Sequence, residues 1–403
     1  MLIHWIWYAT LSQLSLRQKV GLLEHFSDPE EIFYAQSYSH IPQVSDDMAK
    51  ALTNKDLTQA QQVLKHCAEK HISILTFSDT AYPSRLRNIE DPPLVLYYKG
   101  VLPDFEGQPL IAVVGTRKAS TYGITNARHM AAQIAACGGL VVSGGAYGID
   151  TAAHQGALEA GKQTVAVLGC GADVVYPRSN RRLFAQIEQN GCLLSEYLPG
   201  TEPKPWQFPE RNRILSGMSS GVLIVEAPER SGALITARKA FEQGRDVFVV
   251  PGNIDVATCA GSNALLQDCA AAVFSGWDAV KEYAPQYPGV VENRPVQRQA
   301  YNEAPTASRL KVAQTAQTPK HADKKDIDNP KSSAYSVLDN ESSQLNQEEK
   351  QIVACLDSTP RPVDEVIAQV GLPAGKVLSA LTKLALKGVV INHPGRLVSA
   401  RKR

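Results

Sequence analysis

The chain has 403 residues, 44% of them hydrophobic, which suffices for two or three domains with sizeable cores. Lys and Arg number 41 against 40 Asp and Glu, a formal +1, and this excludes a global field that gathers polyanions, so any such attraction has to come from local clusters. Seven cysteines with no Cys-x-x-Cys pair and no histidine at zinc-ligand spacing exclude a zinc module and read as reduced thiols of a cytosolic protein, and no apolar run is long enough to cross a membrane.

Residues 1–70 place apolar side chains at helical spacing, through Leu11, Leu14, Val20, Leu22, Phe26, Ile32, Phe33, Leu52, Val63 and Leu64, and predict a small helical domain. The apolar opening Met1 to Leu11 lacks a basic start and a small-residue cleavage site, so it reads as a core helix. Asp28-Pro29 and Ile41-Pro42 mark turns, because the residue before proline avoids the helical region. From 71 to 285 short apolar runs alternate with helical stretches: 71–77, 94–98, 110–114, 140–143, 164–168, 192–195, 221–225 and 246–250. That alternation predicts an α/β fold with a mostly parallel sheet covered on both faces.

The loops after these strands carry the chemistry. Gly115-Thr116-Arg117-Lys118-Ala119-Ser120-Thr121-Tyr122-Gly123 follows the strand ending at Val114 and holds two cations, with Ser120 and Tyr122 as neutral donors. Ser143-Gly144-Gly145-Ala146-Tyr147-Gly148-Ile149-Asp150 runs from a strand into a helix; glycines permit positive φ and close approach, and a helix start offers unpaired N–H groups, so an anion is the expected guest. A third loop, Tyr176-Pro177-Arg178-Ser179-Asn180, leads to Arg181 and Arg182, with Ser179 or Asn180 as cap and Arg178 beside the positive helix end. In Phe208-Pro209-Glu210-Arg211-Asn212-Arg213 the two arginines diverge by about 200° on a helix. One is therefore expected to face an anion and the other an internal carboxylate, for which Glu226 is the candidate. Ser231-Gly232 opens a further helix, and its hydroxyls, with Thr236, extend the rim. Asp150 and His154, four apart, have the spacing of an acid/base pair, but a first-turn Asp with a packed His is the commoner arrangement. No Walker-type run and no clean dinucleotide fingerprint is present, so neither ATP nor NAD is expected, and no cofactor or metal is assigned.

Residues 286–340 turn to Pro, Gln, Asn, Ser, Ala and Lys and predict a disordered linker. Residues 341–403 show three helical stretches, 348–356, 363–370 and 376–387, then a two-stranded wing over 388–398, which reads as a winged helix. With Lys376, Lys383, Lys387 and Arg396 as its cations, that domain could serve DNA or a protein partner.

The motifs together resemble the DNA processing protein A (DprA, or Smf) family of bacteria. The likeness spans 71–280 and rests on the Arg117 loop, the Ser143 to Asp150 run, Tyr176-Pro177-x-x-Asn180, Phe208-Pro209-x-Arg211-Asn212-Arg213, Ser231-Gly232-x-Leu234-Ile235-Thr236 and Val250-Pro251-Gly252. The resemblance implies an extended Rossmann fold behind a helical domain of SAM or helix-hairpin-helix type and ahead of the winged helix. It further implies a non-enzymatic mediator that dimerises through the Rossmann domain, binds and protects single-stranded DNA in the cytoplasm, and loads the RecA recombinase during natural transformation. The family's DNA-contacting arginine falls on Arg117 and its second basic residue on Arg178. Ala233 stands where serine is usual, Cys269-Ala270 replaces Gly-Ala, and the hairpin near Ser15 to Lys19 lacks glycines, which argues against DNA binding by the N-terminal domain itself. The competing reading is a nucleotide-binding Rossmann enzyme that hydrolyses nucleoside monophosphates, with Glu226 or Asp150 as acid or base. Aromatic side chains of the loops, Tyr122, Tyr147, Tyr176, Trp206 and Phe208, favour the first reading, because bases stack on them whatever the sequence.

Overall fold

The computed structural model describes residues 1–296 apart from 39, 40, 42, 43 and 269, together with 347–357, 361–370, 372, 377, 380, 381, 384, 389–393 and 397–400. The chain divides into two compact units, Met1–Pro305 and Thr306–Arg403. Among the described residues no helix is long and apolar enough to cross a membrane.

The first unit opens with helices α1 (Leu2–Thr10), α2 (Leu16–Leu22), α3 (Pro29–Tyr34), α4 (Asp46–Thr53) and α5 (Thr58–Lys70). Local chemistry starts three of them: Ser15 and Gln18 form a reciprocal capping box on α2, Asp28 caps α3 with Pro29 in its first turn, and Ser45 caps α4. Their apolar faces, with Ile6, Trp7, Tyr8, Leu22, Ile32 and Leu52 fully buried, share one core with Val95 and Tyr97 of the sheet and with Leu94 just before it.

The remaining elements alternate: β1 (Ser73–Thr76), α6 (Ser84–Arg87), β2 (Val95–Gly100), β3 (Leu110–Val114), α7 (Thr121–Ala136), β4 (Leu140–Ser143), α8 (Ile149–Glu159), β5 (Thr164–Val167), α9 (Arg181–Gln189), β6 (Gly191–Ser195), α10 (Gln207–Met218), β7 (Gly221–Ile224), α11 (Gly232–Glu242), β8 (Asp246–Val249), α12 (Ala260–Leu265) and β9 (Ala271–Ala272). They build a sheet in the order β1-β2-β6-β5-β4-β3-β7-β8-β9, parallel except at β1/β2 and β2/β6. This is the expected Rossmann-type sheet. The two-residue, exposed β9 was not foreseen, since it is too short to show a period.

Strands β3 to β7 are buried along their whole length, and their side chains alternate between one core on the first face and two adjoining clusters on the second. Ala112 and Val114 of β3 meet α10 and α11 on one face, and Ile111 and Val113 meet α7 and α8 on the other. The chain winds from β3 outward to β6, then returns through α10 to place β7 on the opposite flank of β3. Strand order thus reverses between β3 and β7, where open α/β sheets leave a crevice beyond the carboxyl ends.

The second unit contains α13 (Gln347–Ala354), β10 (Arg361–Pro362), α14 (Val363–Val370), β11 (Val390–His393) and β12 (Leu397–Ala400), with an antiparallel sheet in the order β10-β12-β11. Val377, Ala380, Leu381 and Leu384 are helical, buried and spaced as one helix face, and they join Ile352, Val366, Val390 and Val398 in a core. The winged helix expected for this region is present. Its candidate cations Lys376, Lys383, Lys387 and Arg396, the tail Arg401 to Arg403, residues 297–340 of the expected linker, Pro42 and Cys269 lie outside the described residues.

Candidate functional site

The loop after β3 is pinned from below by Glu226, which follows β7. A side chain at Gly115 would strike Ile149 and come within 2.7 Å of the Glu226 carbonyl, the same oxygen that accepts from the Thr116 N–H at 2.7 Å. Ser120 caps α7 by accepting from the Gly123 N–H at 3.1 Å, and its own N–H and hydroxyl donate to Glu226 Oε2 at 3.0 and 2.9 Å. Tyr122 donates its hydroxyl to the Pro251 carbonyl at 2.6 Å. Ser120 and Tyr122 were expected to offer neutral donors to a phosphate; both donors are instead given to protein acceptors, Ser120 to a buried carboxylate and Tyr122 to a surface carbonyl. The charged groups that the loop presents to solvent are Arg117 and Lys118, beside the exposed Tyr122 ring, and the Arg117 guanidinium lies 4.8 Å from the Phe208 ring centre.

The loop after β4 lies against the first. The Ile149 N–H donates to the Thr116 carbonyl, and Gly148, at φ +74°, faces the carbonyls of Thr116 and Arg117 where any side chain would collide. Gly145 also needs its positive φ of +66°, and Gly144 leaves the space that Arg211 and Asp150 fill. Ser143 is fully buried and donates to the Val113 carbonyl at 2.7 Å, so it ties β4 to β3 and is not a donor for a ligand. Asn180, 5% exposed, reaches from the third loop to donate to the Gly145 carbonyl at 3.0 Å and to Thr151 at 2.8 Å. It braces the glycine turn, and it leaves Arg178 exposed beside it. The same loop sets the Tyr176 ring 5.5 Å from that of Phe208, the ring on which Arg117 rests.

The two arginines of α10 do diverge, but their partners differ from expectation. Arg213 binds Glu196 at 2.6 and 2.7 Å, not Glu226, whose carboxylate is wholly buried and holds Ser120. Arg211, 4% exposed, donates to the Val167 carbonyl and carries its charge beside Asp150. Burial pushes the Asp150 carboxyl above its usual range, against the opposing pull of Arg211. His154 is packed: its Nδ1 bonds to Thr164 at 2.8 Å and burial lowers its pKa to about 3, so it serves as no partner base to Asp150.

These loops enclose a cavity of about 430 Å³ at the strand-order reversal. Arg117, Lys118, Arg211 and Arg230 line it with a single carboxylate, Asp150, so its field is positive although the chain is near neutral. Gly115, Ala146, Asn212, Ser231, Gly232 and Thr236 complete much of the wall. Asn212 donates to the Gly232 carbonyl at 3.4 Å, and Ser231 caps α11 through the Ala233 N–H at 3.3 Å. Ser120, Tyr122, Ser143, Gly144, Gly145, Gly148, Arg178 and Asn180 do not line the cavity; they support its loops or lie on the adjoining surface. Arg230 was missed, although a basic residue directly before the Ser231-Gly232 helix start is a readable signal.

Residues 73–284 match the family described as DNA recombination-mediator protein A, and 338–396 match the DprA winged helix domain. Protein Smf of Synechocystis sp. is 34% identical over 342 residues, 83% of this chain and 81% of its own length. DNA processing protein DprA of Streptococcus pneumoniae is 43% identical over 220 residues, 54% of this chain and 77% of its own. The X-ray structure of DNA processing protein A from Streptococcus pneumoniae is similar with a TM-score of 0.57 at 35% identity, covering 69% of this chain and 97% of that one.

Proposed function

Since the chain belongs to the DNA recombination-mediator protein A family, we propose that it binds single-stranded DNA across the crevice of its Rossmann-type unit. It then hands the strand to the RecA recombinase during natural transformation, as a cytoplasmic homodimer. The observation that carries the DNA reading is the cluster of Arg117, Lys118, Arg211 and Arg230 around one cavity, with Phe208 in its wall. Phosphates lie over Arg117, Lys118 and Arg230, and Arg178 extends the track. Arg117 is already stacked on Phe208, which restricts its guanidinium before the ligand arrives and lowers the entropy lost on binding. Bases rest on Tyr176 and Phe208, and Tyr147 is exposed nearby for a further one.

A mediator is favoured over a nucleoside-monophosphate hydrolase by the state of the two candidate acids. Glu226 is sealed beneath the first loop, which leaves Asp150 as the single carboxylate of the cavity wall, buried and pulled by the Arg211 charge, so no pair of acids faces the cavity. Oligo-dT titrations over a salt series test the reading. Arg117→Ala, Arg178→Ala and Arg230→Ala are each expected to weaken binding and to flatten the log–log salt slope by about 0.7. Parental affinity and slope in all three variants would overturn it. Incubation with nucleoside monophosphates is expected to release no free base, and catalytic turnover there would favour the enzyme.

A further inference from the structure

We propose that a second cavity, beside the first, receives one nucleobase of the same bound strand; the inference rests on the single-strand reading above. This cavity, of about 380 Å³, lies between the helices α1, α2 and α5 and the sheet, with Leu16, Tyr97, Tyr197, Lys204 and Trp206 among its walls. Its size is at the lower end for ligand pockets. Trp206 is 54% exposed, with the Tyr197 ring edge-on at 6.4 Å, which leaves a large aromatic face open to solvent. Tyr97 is 1% exposed, and its hydroxyl has no hydrogen-bond partner among the described residues. A buried hydroxyl left unpaired is costly, and the polar edge of a base supplies what it lacks.

The lining chemistry selects a neutral flat group and not a phosphate. Lys204 is its cation, exposed at the mouth, and its carboxylate, Glu196, is already held by Arg213. One short segment forms the wall between the two cavities: Lys204, Trp206 and Gln207 face the second, and Pro205 and Phe208 face the first. A strand with one base on Phe208 therefore carries a neighbouring base over this wall onto Trp206, with Lys204 beside the intervening phosphate.

The test is oligo-dT binding as a function of oligomer length, for the parent, Trp206→Ala, Trp206→Phe and Arg117→Ala. Trp206→Ala is expected to weaken binding about 5- to 160-fold for oligomers long enough to span both cavities and to leave the shortest binding ones unchanged. Trp206→Phe is expected to restore most of that loss, which separates stacking from folding. Arg117→Ala is expected to weaken every length. No effect of Trp206→Ala at any length, with Arg117→Ala still weakening binding, overturns the second site and leaves the first reading standing. An equal loss at all lengths places Trp206 in the first groove and also overturns it. So does Trp206-dependent binding of dTMP as tight as that of the longest oligomer, because the cavity would then be a mononucleotide site. No effect of either substitution overturns the single-strand reading itself.

Discussion

The state of a single buried imidazole has a measurable consequence. The Thr164 hydroxyl gives its proton to the Val141 carbonyl at 2.8 Å, so the bond at His154 Nδ1 runs from histidine to threonine, and Nε2 is left as a buried acceptor without a partner among the described residues. Protonating Nε2 puts a charge in the core near Arg211, hence the lowered pKa of about 3. The unfolded chain binds this proton near pH 6.5 and the folded chain does not. Stability from this group is thus complete above pH 6.5 and is lost as pH falls toward 3, with a slope of up to about 1.4 kcal/mol per pH unit. In His154→Asn, which keeps a donor for Thr164, the denaturant midpoint should fall less steeply between pH 6.5 and 4.5 than in the parent. An unchanged slope would show that the acid sensitivity lies elsewhere. Asp150 and Arg211 stand out in the sequence as well, but their proximity does not, because they are 61 positions apart on different helices and both reach the space beside Gly144.

At the level of elements, the glycine loops are shaped as much by their neighbours as by any ligand. Gly123 makes room for the Glu226 carboxylate, which in turn holds Ser120 and so fixes the base of the Arg117 loop. Gly123→Ala is expected to cost about 1–3 kcal/mol in a urea titration, the range for overpacking, and to weaken oligo-dT binding by shifting that loop. Gly232 is the contrasting case, since a methyl group there would meet no atom within 4 Å. Gly232→Ala should leave stability unchanged or raise it by about 0.4–1 kcal/mol, through the smaller entropy of the unfolded chain. Should both alanines destabilise equally, crowding by Glu226 is not the reason Gly123 is glycine. The strand and loop positions could be read from apolar runs that end in glycine, whereas the bonds joining the loops could not, since they run between residues distant in sequence.

For the whole molecule, four of the core clusters draw only on residues before 297, and the fifth only on residues from 352 onward. A fragment of residues 1–296 is therefore expected to fold cooperatively and to keep the parental affinity for oligo-dT in a gel shift. A loss of more than about tenfold, 1.4 kcal/mol, would assign part of the binding to the C-terminal unit. Within the first unit the N-terminal helices share a core with β2, so Val95 and Tyr97 serve helix packing and sheet pairing together.

Periodicity, turn residues and local charge act through neighbours in the chain, and so the sequence sufficed for the α/β alternation, the flanking helical and winged-helix regions, the cationic first loop and the glycine turns. Partnerships depend on which distant segments the fold brings together. That is why Arg213 meets Glu196 and not Glu226, why the donors of Ser120 and Ser143 turn inward and that of Tyr122 goes to Pro251, and why Arg230 joins Arg117 across the β3/β7 reversal. Burial completes the distinction: a carboxylate or hydroxyl taken from water must find a partner inside, and only the packed arrangement determines which one is in reach.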